Sequence, residues 1–131
     1  MNVVDSSCWL EFIENSPIGN TVAPIIVDVE RLLVPTIVLY EVSRKLTAMK
    51  DAVYAKGFVQ GMLNADVVSL DIPLSISAAS IGLKYQLAMA DSIIYATAMH
   101  HNAVVWTADK HFEGLPNVQY FDKTQKTERE S

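Results

Sequence analysis

Asp5, Glu41, Asp91 and Asp109 are four carboxylates that interrupt or close apolar segments, where a folding chain favours hydrophobic side chains. A carboxylate in such surroundings is costly to bury unless positive charge compensates it. The compensation their placement suggests is a bound divalent metal, and the chemistry that follows is metal-dependent hydrolysis. Hard cations such as Mg²⁺ take oxygen ligands, keep several waters, and combine a few carboxylates with substrate phosphate. The hydroxyls of Ser6, Ser92 and Thr107 neighbour three of the acids and are suited to orienting ligands or water. Each acid also has a plainer reading. Asp5, Asp91 and Asp109 are good helix N-caps, and Glu41 with Lys45 is spaced for an ordinary i,i+4 ion pair.

The elements that must position these acids are short. Asn2–Asp5 reads as a buried first strand, with Ser6 and Ser7 as N-caps for a helix over Cys8–Glu14. Asn15-Ser16-Pro17 and Gly19-Asn20 read as turns, and the following segment to Glu30 as a short helix. Arg31–Pro35 is a second strand. Thr36 opens a helix to about Met49 with Leu39, Val42, Leu46 and Met49 on its core face, and a further helix covers Asp51–Leu63. Gly57 and Gly61, four apart in that helix, cost helix propensity, and either close packing against another helix or subunit or plain fraying accounts for them. Asp66–Asp71 is a third strand. Pro73 starts a helix whose expected buried stripe is Ile76, Ala79, Ser80, Leu83 and Leu87. Asp91–His101 is helical with Ile94 and Ala98 inward, Ala103–Trp106 is a fourth strand, and Val118–Phe121 is a last one.

This alternation predicts an α/β sandwich around a parallel sheet with helices on both faces. In such sheets ligands gather outside the carboxyl ends of the strands. Asp5 and Asp109 sit at such ends, Asp91 near a helix start and Glu41 on the second turn of the helix after strand two, so all four can reach one rim.

At these residues the chain resembles the PIN-domain nucleases, most closely the VapC-like ribonuclease toxins of toxin–antitoxin pairs. The resemblance is carried in order by Val3–Ser7, Pro35–Val42, Leu87–Ala98 and Val104–Phe112, and spans nearly the full length. It implies a three-layer α/β/α sandwich with a central, mostly parallel sheet of four to five strands, occupying residues 1–122, with a polar tail at 123–131 expected to be disordered. It implies Asp5, Glu41 and Asp91 as metal ligands, Asp109 completing the pocket, and Thr107 and Ser6 as supporting hydroxyls. Ser92 departs from the family, where many relatives carry Ala after the third acid. The implied activity is Mg²⁺- or Mn²⁺-dependent hydrolysis of RNA phosphodiesters leaving a 5′-phosphate, with no histidine required; His111 is expected to be solvated. The implied partners are an RNA substrate, a cognate antitoxin whose C-terminal segment occludes the pocket, and a second copy of the chain.

Substrate grip is expected from Arg44, Lys45 and Lys110 near the rim. The net charge of −5 includes these four carboxylates, and the remainder is nearly balanced, so a polyanion would have to be held by local cations and metal. A receiver domain would need adjacent acids after strand one, and a haloacid-dehalogenase-type phosphatase a second Asp at position 7; Ser6 and Ser7 stand there instead. The remaining alternative is a catalytically weak PIN scaffold that acts by binding protein or RNA. A single cysteine, Cys8, excludes an internal disulfide and fits a reducing compartment. The start lacks the pattern of a signal peptide and no apolar run is long enough to span a membrane, which sets the expectation of a cytoplasmic protein.

Overall fold

Valine- and leucine-rich tri- and tetrapeptides form the sheet. In the structure, a computed structural model that describes residues 1–124, these are β1 (Asn2–Val4), β2 (Leu32–Pro35), β3 (Asp66–Val68), β4 (Val104–Thr107) and β5 (Val118–Tyr120). They pair in the order β3-β2-β1-β4-β5, and every pairing is parallel. Parallel strands buried on both faces favour continuous β-branched runs over alternation. Val3 and Val4 point to opposite faces and both are fully buried, as is all of β2, so helices cover the sheet on both sides. The expected tail at 123–131 falls largely outside the described residues.

The helices are α1 (Ser6–Ile13), α2 (Pro17–Val27), α3 (Thr36–Met49), α4 (Ala52–Met62), α5 (Ile72–Tyr85) and α6 (Met89–His100). No helix of the described residues is long and apolar enough to cross a membrane. The strand order reverses between β1 and β4, and a reversal of this kind opens a crevice at the carboxyl ends of the two central strands. Asp5 follows β1 immediately, and Thr107 ends β4.

Three local expectations are corrected. The first concerns α2, which begins at Pro17, inside the segment expected to be a turn. Ser16 Oγ accepts the Gly19 N–H at 3.0 Å, so Ser-Pro here is an N-cap followed by a first-turn proline. The second concerns α5, whose inward side chains are Leu74, Ala78, Ile81 and Tyr85, whereas Ile76, Ala79, Ser80 and Leu83 face outward. Both stripes are apolar at helical spacing, and periodicity alone does not choose between them. The third concerns Met49, which is exposed at the end of α3; the buried face of that helix is Val38, Val42 and Leu46.

Two glycines of the helices have opposite surroundings. A Cβ on Gly19 would collide with the backbone carbonyl of Glu11, because α2 crosses α1 there with no room for a side chain. Gly57 has open space around its Cβ position, so among the described residues the close packing anticipated at this glycine is not made. Gly19→Ala is therefore expected to destabilise the fold by about 1–3 kcal/mol through forced separation of the two helices. Gly57→Ala is expected to stabilise it by up to about 1 kcal/mol from helix propensity. Urea denaturation of both variants checks the difference in sign.

Candidate active site

Asp5 occupies the N-cap position of α1, yet its side chain makes no capping bond. It is turned to the crevice and is 2% exposed. Its Oδ2 accepts hydrogen bonds from Ser7 Oγ at 2.8 Å and Thr107 Oγ1 at 2.9 Å. These hydroxyls are themselves acceptors. The Ala108 N–H donates to Ser7 Oγ at 3.0 Å and the Asp109 N–H donates to Thr107 Oγ1 at 2.9 Å. Backbone amides after β4 thus aim two hydroxyl protons at the acid that ends β1. Ser7, expected only as a cap, is the closer partner of Asp5, whereas Ser6 Oγ donates to Glu41 Oε1 at 3.1 Å.

Glu41 reaches the same crevice from the second turn of α3. It bonds Ser6, and among the described residues it makes no ion pair with Lys45, so the plain surface-pair reading does not hold. Asp91 lies in the first turn of α6, where the helix dipole favours an anion, and Ala88 rather than Asp91 occupies the cap position. Asp109 does serve as a cap: its Oδ1 accepts the His111 N–H at 2.9 Å across the 3₁₀ turn Lys110–Phe112.

The four acids meet in one hollow of about 430 Å³ that Ser6, Ser7 and Lys45 also line. Glu11, Glu14 and Lys123 line it too, and the sequence reading assigned them no role. Ser92 is brought elsewhere. Its hydroxyl donates to the carbonyls of Ala88 at 2.7 Å and Leu87 at 3.2 Å, and it packs against Gly82, where a Cβ would strike it. Neighbours on a helix point roughly 100° apart, which carries Ser92 away from the face of Asp91. Lys110 is exposed and stands near Asp122, outside the lining of the hollow.

His111 was expected to be solvated, and it is largely exposed, but it also sits on the rim. Its Nδ1 lies 2.9 Å from Asp109 Oδ1 and 3.9 Å from Asp91 Oδ2. One ligand atom from each of Asp91, Asp109 and His111 falls within 4.8 Å of the others. The available signal was the Asp-x-His spacing, which a 3₁₀ turn folds back onto the acid.

The electrostatics are those of crowded like charge. Burial raises the pKa of Asp5 most, the Ser7 and Thr107 bonds oppose it, and Asp109 adds to it. Glu41 is raised by partial burial and then by Asp5 and Asp109, with Ser6 opposing. Asp91 is pushed up to about 7, first by burial and then by Asp109 and Asp5, with His111 opposing. Oxygen donors of this density, which among the described residues make no ion pair with Lys45 or Lys123, fit a hard divalent cation.

A PIN domain family model matches residues 3–117. Among solved structures, a toxin–antitoxin complex from Klebsiella pneumoniae is similar, with a TM-score of 0.77, 16% identity, and coverage of 91% of this chain and 96% of that one. VapBC2 from Rickettsia felis, bound to a DNA fragment from their promoter, gives 0.72 at 13% identity, covering 92% of this chain and 98% of that one. VapBC-1 from nontypeable Haemophilus influenzae gives 0.71 at 16% identity, with coverage of 94% and 98%. At these identities the likeness is one of fold. No curated protein sequence matches the chain.

The raised Asp91 pKa has a stability consequence of definite sign. The folded protein holds a proton that the unfolded chain releases near pH 4, so stability without metal falls as pH rises from about 4 to about 7. In chelator, the melting temperature is expected to drop across that window, and Asp91→Asn to flatten the drop and raise the value at pH 8. Scanning fluorimetry of both proteins in a pH series measures it.

Proposed function

The chain belongs to the PIN-domain family, and from that premise we propose that it is a divalent-metal-dependent endoribonuclease, the toxin of a cytoplasmic toxin–antitoxin pair. The domain proposed to do this is residues 1–122. The observation that carries the reading is the pocket itself: Asp5, Glu41, Asp91 and Asp109 line one hollow at the strand-order reversal, and three of them have raised pKa values. A fold that spends stability on mutually repelling acids at a ligand crevice points to a cationic cofactor and an anionic substrate.

Asp5, Glu41, Asp91 and Asp109 would hold the ion, Mg²⁺ or Mn²⁺. When bound, it supplies Lewis acidity to a phosphoryl oxygen and acidifies the attacking water. Ser7 and Thr107 favour the ionised form of Asp5 and fix its rotamer by donating to one of its oxygens. Ser6 does the same for Glu41. His111 stands beside Asp91 and Asp109, where its protonated form would favour their ionised state. Lys45 at the mouth, with Arg44 next to it, supplies charge for the flanking phosphates.

An antitoxin segment carrying arginine fits the same pocket, since guanidinium pairs bidentately with carboxylates. A homodimer is supported by the outward stripe of α5. Ile72, Ile76 and Leu83 are 78, 69 and 85% exposed, and Met89 at the start of α6 is 75% exposed. Positions 72, 76, 79 and 83 alternate steps of four and three, the spacing of a helix–helix seam. Four such side chains leave roughly 600 Å² of apolar surface in water, most of the ~800 Å² per partner of a stable interface.

Purified protein is expected to cleave single-stranded RNA in Mg²⁺ or Mn²⁺, to leave 5′-phosphate ends, and to stop in excess chelator. Asp5→Asn and Asp91→Asn are expected to lower cleavage at least ~100-fold while the circular dichroism spectrum is retained. Mn²⁺ titration by calorimetry gives a readout independent of turnover, and both variants are expected to bind the ion more weakly. Cleavage that persists in chelator or survives both substitutions removes the metal mechanism. Leu83→Glu is expected to convert a dimer to a monomer in light scattering, and an unchanged mass rules out α5 as the seam.

A further inference from the structure

The acid pocket has a neighbour. On the outward side of α3 lies a hollow of about 450 Å³ that shares Ser6, Leu10, Glu41 and Lys45 with it and continues over Tyr40, Arg44 and Ala48. Tyr40 is 56% exposed, an aromatic ring left in water one residue before a pocket acid. Its phenolic oxygen accepts a hydrogen bond from Arg44 Nη1 at 2.9 Å, which pins the ring one helical turn from the guanidinium. Among the described residues neither Arg44 nor Lys45 makes an ion pair, although the chain as a whole is acidic. Two unpaired cations and a held aromatic face, bordered by the apolar Leu10 and Ala48, match the requirements of a single-stranded nucleotide. Its base stacks on an aromatic ring and its phosphate meets arginine or lysine.

We propose that this hollow is a nucleotide subsite, in which the base next to the cleaved phosphodiester stacks on Tyr40 while Arg44 and Lys45 take the adjoining phosphate. The inference rests on reading the acid pocket as a ribonuclease site and adds how the strand is laid into it. Stacking uses a face that every base has, so the subsite grips without choosing sequence. The Arg44 bond orients the ring before the strand arrives, so less freedom is lost on binding. It also leaves the other guanidinium N–H groups for phosphate.

The test uses single-stranded RNA oligonucleotides with Mn²⁺, including a set in which each nucleotide flanking the cleaved bond is made abasic in turn. Tyr40→Ala is expected to raise KM roughly 10-fold with kcat little changed, and Tyr40→Phe, which keeps the ring but loses the Arg44 bond, to raise KM by a clearly smaller factor. One abasic substitution is expected to raise the wild-type KM by a similar factor and to have no effect on Tyr40→Ala. Tyr40 is an exposed helical position, and circular dichroism with unchanged Mn²⁺ affinity verifies that the variant is intact. If wild type cleaves RNA but Tyr40→Ala keeps its KM, or pays the full abasic penalty, the subsite is wrong and the ribonuclease reading stands. If wild type cleaves no RNA, both fall together. If Tyr40→Ala weakens only a protein partner and leaves the RNA KM unchanged, the hollow belongs to that partner and the nucleotide subsite is overturned.

Discussion

Mutual repulsion among carboxylates at the carboxyl ends of neighbouring parallel strands is the constraint around which the rest is arranged. Two consequences of parallel pairing act together. Strands β1 and β4 run side by side and deliver their ends to the same edge, and the reversal of order there leaves no crossover to fill the gap. Acids placed at those ends are then crowded and partly dry, and the protein answers with hydroxyl donors at Asp5 and Glu41 and with the positive end of α6 near Asp91. None of these adds a full positive charge, which is why the pocket remains one that attracts cations.

The architecture was largely legible in the sequence because short β-branched runs separated by helical spacing leave few alternatives to a parallel α/β sheet. The placement of Asp5 at the end of β1 was legible for the same reason, since a charge can close a buried run but not continue it. The proline-containing N-terminal part of α2 was not, because Ser-Pro serves both turns and helix starts. The side of α5 that faces the core was equally hidden. Leu74, Ala78, Ile81 and Tyr85 form one apolar stripe and Ile72, Ile76 and Leu83 another, and only the docking of α6 selects the first.

Within the candidate site the acids and the supporting hydroxyl of Thr107 were readable, but Ser6 and Ser92 do not pair with the acids they adjoin in sequence. Ser6 and Ser7 both neighbour Asp5 in sequence, yet the start of α1 sends Ser7 to Asp5 and Ser6 to Glu41. Ser92 follows Asp91 directly and is carried by the helical turn into the contact with Gly82. Adjacency in sequence is a poor guide on helices, where adjacent side chains diverge and those three or four apart converge. His111 shows the reverse case, in which a tight 3₁₀ turn returns a side chain to the acid two residues earlier.

The hydroxyl relay from Ala108 and Asp109 through Ser7 and Thr107 to Asp5 joins positions about a hundred residues apart in the chain. Neither hydroxyl has its backbone donor until the chain has been made as far as Asp109. During synthesis, a nascent chain that has passed Glu41 but not reached Ala108 carries Asp5 and Glu41 and lacks the amides that orient the hydroxyls on the first of them. The bonds that hold Asp5 are therefore available only once β4 lies beside β1.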